Sequence, residues 1–394
     1  MKNVLKEKEM NKNKKMATAT IVLVSMLTTS MLMARTKLTT LPQRDNIRVD
    51  LSNTKYTLVE EERYINMLAG KNKVEFFWQN TSIDMSSIQF TPIKNGRTVN
   101  VINVNYPPGE SALFWEVYSK TAGPLKFRIS YLINNIKRKI SYEAIADKKE
   151  KFLQIKQFVT LINGSGESFK SAWFNAGYSR KFKKDLEYQE AKKLLALTYK
   201  KVPIKKAYHF YANTSKQVKM YYELLNKRSK GMGKLPFDYG KIRIYQQSGN
   251  SEAFIGEDWG KYTPVGEKLE LFMGEAKEVK VKRSEYSNKK TFIKRPVFKR
   301  TITLRYKIEN FKKEIVPLMI YERMDGKQWQ VTKIRATKFV GERNNKKEKS
   351  TTEIKDLRYE KENIYKLNIF AKVPRTKAKT GYYIYVTYVK KNRW

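Results

Sequence analysis

Two adjacent carboxylates, Glu257 and Asp258, are the first residues in this sequence whose types and spacing suggest chemistry. They close the run Phe254-Ile255-Gly256-Glu257-Asp258, and Glu252 and Glu267 lie close by in sequence. A carboxylate pair can carry acid–base hydrolysis of glycans or hold a cation. Neighbours on a strand point to opposite faces, so the two converge only where a turn reorients one of them. Gly256 and Gly260 favour such a turn, in which Asp258 is expected to accept hydrogen bonds from backbone N–H groups. The structural role is the expectation, and a cation or acid–base site is the alternative.

The rest of the catalytic vocabulary is short. His209 is the single histidine in 394 residues, and there is no cysteine. Disulfides, thiolate nucleophiles and thiolate metal sites are excluded, as are the common His-based triads and multi-His zinc sites. His209 lies between Tyr208 and Phe210 in a strand-like run, where a lone histidine is expected to be a hydrogen-bonded structural residue. No metal ligand set is expected. No GxxxxGK[ST] or GxGxxG follows a strand and opens a helix, so nucleotide chemistry has no support and no cofactor is expected. A serine–lysine dyad stays open in so lysine-rich a chain, but no motif singles one out.

Charge is the stronger signal. There are 81 Lys and Arg against 38 Asp and Glu, a net charge of +43. The densest stretch runs from Lys277 to Arg300, with ten positive and two negative residues. Within it, Lys280, Lys282, Arg283, Lys289, Lys290, Lys294 and Arg295 are the candidate polyanion-binding residues. Tyr286, Phe292 and Phe298 are interleaved and can stack on sugars or bases. The pattern suits lipopolysaccharide, another acidic glycan or nucleic acid. Arg138, Lys139, Lys183 and Lys184 make other regions as basic, so a plain solvated face is the competing reading. An AT-rich genome also produces a lysine- and asparagine-rich composition. No signature of a known nucleic-acid-binding module appears, and nucleic acid is not the expected partner.

These residues must be positioned mainly by strands. Residues 301–308 (TITLRYKI) alternate polar and apolar without a break, and Tyr365, Leu367, Ile369, Ala371 and Val373 share one face of another run. Residues 382–389 are β-branched and aromatic almost throughout. Period two with this composition predicts strands buried on one face. Phe127–Ile133 and Ile136–Ile145 flank Asn134-Asn135, which reads as a hairpin. Leu153–Ile162 ends at the turn Asn163-Gly164-Ser165-Gly166, and Gly231-Met232-Gly233 is a second break. Asn344–Ser350 reads as a charged exposed loop. One stretch departs from period two: Lys184–Lys200 holds good helix formers without Gly or Pro and predicts a helix or a linker. With 50 aromatic residues, the chain has ample material for a core despite its charge.

The N-terminus reads as a targeting segment. Six lysines up to Lys15 precede an uncharged stretch, Ala17–Ala34, that contains Ile21-Val22-Leu23-Val24. This predicts a signal peptide or an uncleaved signal anchor. The residues after 34 still carry +39, so the charge belongs to the rest of the chain.

The middle of the chain carries a pattern of its own: Leu235-Pro236, Gly240-Lys241-Ile242-Arg243-Ile244-Tyr245, Phe254–Asp258, Tyr262-Thr263-Pro264-Val265-Gly266-Glu267, Leu269-Glu270-Leu271 and Gly274-Glu275-Ala276. It resembles the bacterial domain of unknown function 4139, found in mucoidy-inhibitor-A-like proteins. Upstream, Ala207–Tyr211 and Lys216-Gln217-Val218 are similar to that family, and a weaker likeness reaches back to Tyr56. The family's His before Thr-Pro is Tyr262 here, and its "AFDV" is Ala276–Val279. The resemblance implies an exported, β-rich envelope protein and no particular reaction.

The expected fold is all-β. Residues 1–34 are the signal or anchor, 48–180 an N-terminal β-rich domain, 181–204 a helix or linker, and 205–394 a C-terminal β-sandwich. The expected function is that of a non-enzymatic bacterial envelope protein, in the periplasm or on the outer surface. It would contact anionic polymers or partner proteins, with membrane association through residues 17–34. The alternatives are an envelope glycan hydrolase using Glu257 and Asp258, or a nucleic-acid binder.

Overall fold

The alternation read from the sequence is realised as strands nearly throughout. In a computed structural model, the described residues are 38–393 except 54, 94–97, 178–180, 295, 296, 327 and 342–346; the targeting segment and Arg295 lie outside them. The chain is all-β, built from several mostly antiparallel sheets. Among the described residues, helical structure is limited to single turns such as Met85–Ser87 and Arg228–Lys230, and no helix is long and apolar enough to cross a membrane.

The chain divides into two compact units, 1–138 with 161–192, and 139–160 with 193–394. This division differs from the expected one, because the segment 139–160 belongs with the C-terminal unit. The first unit contains a six-stranded sheet around Thr57–Met67 and Gly123–Ile133, and a four-stranded sheet around Gly70–Phe77 and Ala112–Ser119. Aromatic rings join them: Phe90 stacks on Trp115 with centroids 4.5 Å apart, and Phe76 meets Tyr131 at 5.8 Å. Such pairs add about 0.5–1.5 kcal/mol to the burial term.

The second unit is centred on a six-stranded sheet in the spatial order Lys268–Glu275, Lys219–Leu225, Lys205–Tyr211, Val316–Arg323, Lys366–Val373, Lys355–Asn363. One face of this central sheet supplies both cores of the unit. Tyr208, Phe210, Leu318, Ile320 and Leu367 pack on Ile302, Leu304, Tyr306, Ile384 and Val386 of a five-stranded sheet. Tyr222, Leu224, Leu269 and Leu271 pack on Tyr142, Ala144, Ile242 and Ile244 of another. The opposite face carries His209, Tyr221, Glu223 and Glu270, because side chains alternate along each strand.

Three expectations are corrected. Residues 184–200 form no helix. Phe182–Leu186 and Ala191–Pro203 are strands, joined by a turn with Gln189 at φ 64°. Asn163, fully buried, donates to the carbonyls of Leu186 and Glu187 and pins that turn. The helix formers that follow pair with the strand Phe152–Asn163 and bury Leu194, Ala196 and Val202. Strand pairing outweighs an intrinsic preference worth only tenths of a kcal/mol per residue. Asn134-Asn135 is a turn, with Asn135 at φ 64°, but not a paired hairpin, since Gly123–Ile133 and Ile136–Ala146 belong to different sheets. Part of the loop expected at 344–350 is also strand, at Lys347–Ser350.

Candidate functional site

The C-terminal five-stranded sheet runs Val279–Lys294, Val297–Asn310, Thr380–Arg393, Trp329–Val340, Lys347–Ser350. The strand register decides which cations share a face. Ile302, Leu304, Tyr306 and Ile308 are buried on the core side, so Arg305 and Lys307 lie on the other. Arg305 pairs with Ser284 and Tyr385, Lys307 with Lys282 and Tyr383, and Arg335 with Tyr385. The outer face is thus a lattice of cations and rings. The Arg305 guanidinium lies 5.3 Å from the Tyr286 ring centre and 5.1 Å from that of Tyr383. Arg335 sits 4.0 Å over Tyr385, and Lys307 5.2 Å over Phe339. Stacking of this kind contributes about 0.5–1 kcal/mol per contact and fixes a flexible cation in place.

The predicted basic residues divide. Lys280, Lys282, Lys289 and Lys290 are exposed on the edge strand. Lys290 sits 3.9 Å over Phe298 and faces Arg300 across the hairpin. Arg283 instead faces inward and binds the Glu322 carboxylate through Nε at 2.8 Å and Nη2 at 2.7 Å. The Tyr306 hydroxyl donates to the same carboxylate at 2.8 Å. Glu322 is almost wholly buried, and its hydrogen bond holds the Arg283 pKa above the usual guanidinium value. Arg283 neutralises a core carboxylate, so its charge is already spent. Arg295 lies outside the described residues, and Lys294 ends the edge strand Val279–Lys294.

Glu257 and Asp258 do not converge. Both lie on the strand Ser251–Gly260, pairing with Arg243 and Ile242, and they point to opposite faces. Glu257 accepts from Lys241 Nζ at 2.6 Å and Arg243 Nε at 3.1 Å, and these bonds, the Lys241 one foremost, hold its carboxyl below the ordinary value. Asp258 accepts from the backbone N–H of Trp259 at 2.8 Å and of Phe272 at 2.7 Å. Phe272 belongs to the central sheet, so Asp258 joins an edge of one sheet to the next.

The motif segments around Leu235 and Thr263 meet at a residue that sequence reasoning missed. Asn226, fully buried, donates to the carbonyls of Leu235, Thr263 and Pro264 and accepts from the Gly233 N–H at 2.8 Å. Gly233 has φ 78°, and a Cβ there would sit 2.6 Å from the Arg228 nitrogen, so this turn requires glycine. Phe237 stacks on Tyr142 at 4.0 Å and bridges Thr263 through backbone bonds. These contacts shape the wall of an open cavity of about 630 Å³, bordered by Asp258, Tyr262, Pro264, Lys268, Glu270 and Phe272.

His209 is buried but, against the expectation, not hydrogen-bonded: neither Nδ1 nor Nε2 has a partner. Its ring lies against Tyr221, with centroids 4.7 Å apart, and edge-on to Tyr321 at 5.3 Å. Burial pushes its pKa below the ordinary imidazole value, although Glu270 and Glu223 pull the other way.

No family model matches the chain, and no curated protein matches it.

Proposed function

We propose that the chain is an exported, non-enzymatic protein of the bacterial cell envelope, a structural or binding module whose basic faces contact anionic surface polymers or partner proteins. The observation that supports this most is the outer face of the C-terminal sheet, where Arg305 and Arg335 lie on tyrosine rings beside exposed Lys282. Ring-held cations lose little freedom when an anionic chain docks, and neighbouring rings offer apolar area to sugar faces. The basic and then apolar N-terminal sequence and the motif resemblance over 235–276 supply the envelope part of the reading. Neither Glu257, held in ion pairs, nor Asp258, engaged with backbone, supports a hydrolase.

The test is retention of the purified chain on an acidic polysaccharide matrix, with a neutral polysaccharide as control. Retention is expected only on the acidic matrix, released by salt, and weakened in a Lys282→Glu, Arg305→Gln variant that keeps its melting profile. Equal behaviour on the two matrices would remove the polyanion reading.

A further inference from the structure

The face of the central sheet opposite its two cores brings together three groups of ligating type. His209, Glu223 and Glu270 stand on three adjacent strands, with one ligand atom from each lying within 4.8 Å of the others. Glu223 and Glu270 are directly opposite in register. Like charges in that relation repel and call for a cation between them.

Two ammonium groups now meet these carboxylates, and Lys205 Nζ lies 2.7 Å from Glu223 Oε2. Lys268 Nζ lies 2.7 Å from Glu270 and 3.2 Å from Glu223. Neither ammonium is bonded to His209. The imidazole is 1% exposed with both nitrogens unpartnered. An unbonded buried polar group is costly, and a fold does not retain one without compensation. Lys268 is half exposed and borders the open cavity, so its head group can swing out to water.

We propose that His209, Glu223 and Glu270 form a binding site for one divalent transition-metal cation of the zinc type, which enters by displacing the Lys268 ammonium. One imidazole nitrogen and two carboxylate oxygens are the donor set that zinc and its neighbours accept, and that calcium and magnesium do not favour. Metal–ligand bonds of about 2.0–2.2 Å require these side chains to close in modestly. The two carboxylates balance the metal's charge, and released Lys268 remains protonated in solvent. With three protein ligands, a further coordination position faces the cavity beside Tyr221 and Glu270.

The proposal stands independently of the polyanion reading. The full chain, stripped with a chelator, is titrated with Zn²⁺ and with Ca²⁺, and with Co²⁺ as a spectroscopic probe. Expected are one equivalent of Zn²⁺, no comparable Ca²⁺ uptake, and a visible Co²⁺ ligand-field band. His209→Ala removes no hydrogen bond and should weaken Zn²⁺ binding roughly tenfold or more; Lys268→Met, lacking the competitor, should tighten it. Glu270→Gln provides a second weakening variant should His209→Ala fold poorly. No uptake by the native chain, a preference for Ca²⁺, or unchanged affinity in both weakening variants would overturn it.

Discussion

The Arg283 guanidinium and the Glu322 carboxylate form a two-point contact across strands 39 residues apart, and Tyr306 completes it from the core. Removing one partner leaves a charge in apolar surroundings, whereas replacing both leaves none. Arg283→Met should therefore cost about 2–4 kcal/mol in urea unfolding, and the double variant Arg283→Met, Glu322→Leu should recover part of that. Equal stability of native chain and single variant would contradict the contact.

Arg283 should also be irrelevant to polyanion retention. Lys289→Glu with Lys290→Glu is expected to lower the salt needed for elution from an acidic matrix, while a correctly folded Arg283 variant elutes like the native chain. Salt-gradient elution of the two proteins side by side separates exposed charge from charge consumed in the fold.

Asn226 makes four hydrogen bonds from a fully buried position. Asn226→Ala leaves the Leu235 carbonyl and the Gly233 N–H without their side-chain partner and strips one bond each from the Thr263 and Pro264 carbonyls, and should destabilise the protein by roughly 2–4 kcal/mol. Increased proteolysis around residues 231–237 and 262–266 should accompany the lower denaturation midpoint.

Glu62 gives the acid response a defined window. Burial alone would raise its carboxyl, but hydrogen bonds from Arg128 and Lys126 prevail and hold it down at about 2, against an ordinary 4.5. A carboxyl depressed in the folded state adds stability above the unfolded value and loses it as pH falls through the folded one. The stability gap between native chain and Glu62→Gln should be full above about pH 5 and shrink towards pH 2. Denaturation series at several pH values would show it, and a constant gap would refute it.

Asp258 and Glu257 should respond differently to loss of their carboxylates. Asp258→Ala deprives the Phe272 N–H of its acceptor and should cost about 1 kcal/mol. Glu257→Gln loosens a solvent-screened pair and should leave the unfolding midpoint close to native.

Strands with unbroken alternation were legible residue by residue, such as Thr301–Ile308 within Val297–Asn310 and Leu367–Val373 within Lys366–Val373. The strand at Ala191–Pro203 was not, because its residues favour a helix and only the pairing partner reverses that preference. Sequence spacing brought out the basic stretch around residue 290 but could not reveal that Arg283 answers Glu322. Asn226 carried no signal, since one asparagine looks like another until its four partners are in place. The trio of His209, Glu223 and Glu270 was equally hidden: a motif shows ligands on one strand, and these belong to three.

The pairing of Tyr208–Tyr211 with Leu318–Tyr321 is parallel and spans about 110 residues of chain. At synthesis rates of roughly 5–20 residues per second, some 5–20 s pass between the appearance of one strand and that of its neighbour. Over that interval Lys205–Tyr211 can pair only on its Lys219–Leu225 side, and its other edge stays open to whatever strand arrives first. A nascent chain with such an open edge needs a holding chaperone or rapid delivery, so yield on overexpression should depend on chaperone supply more than on the stability of the finished fold.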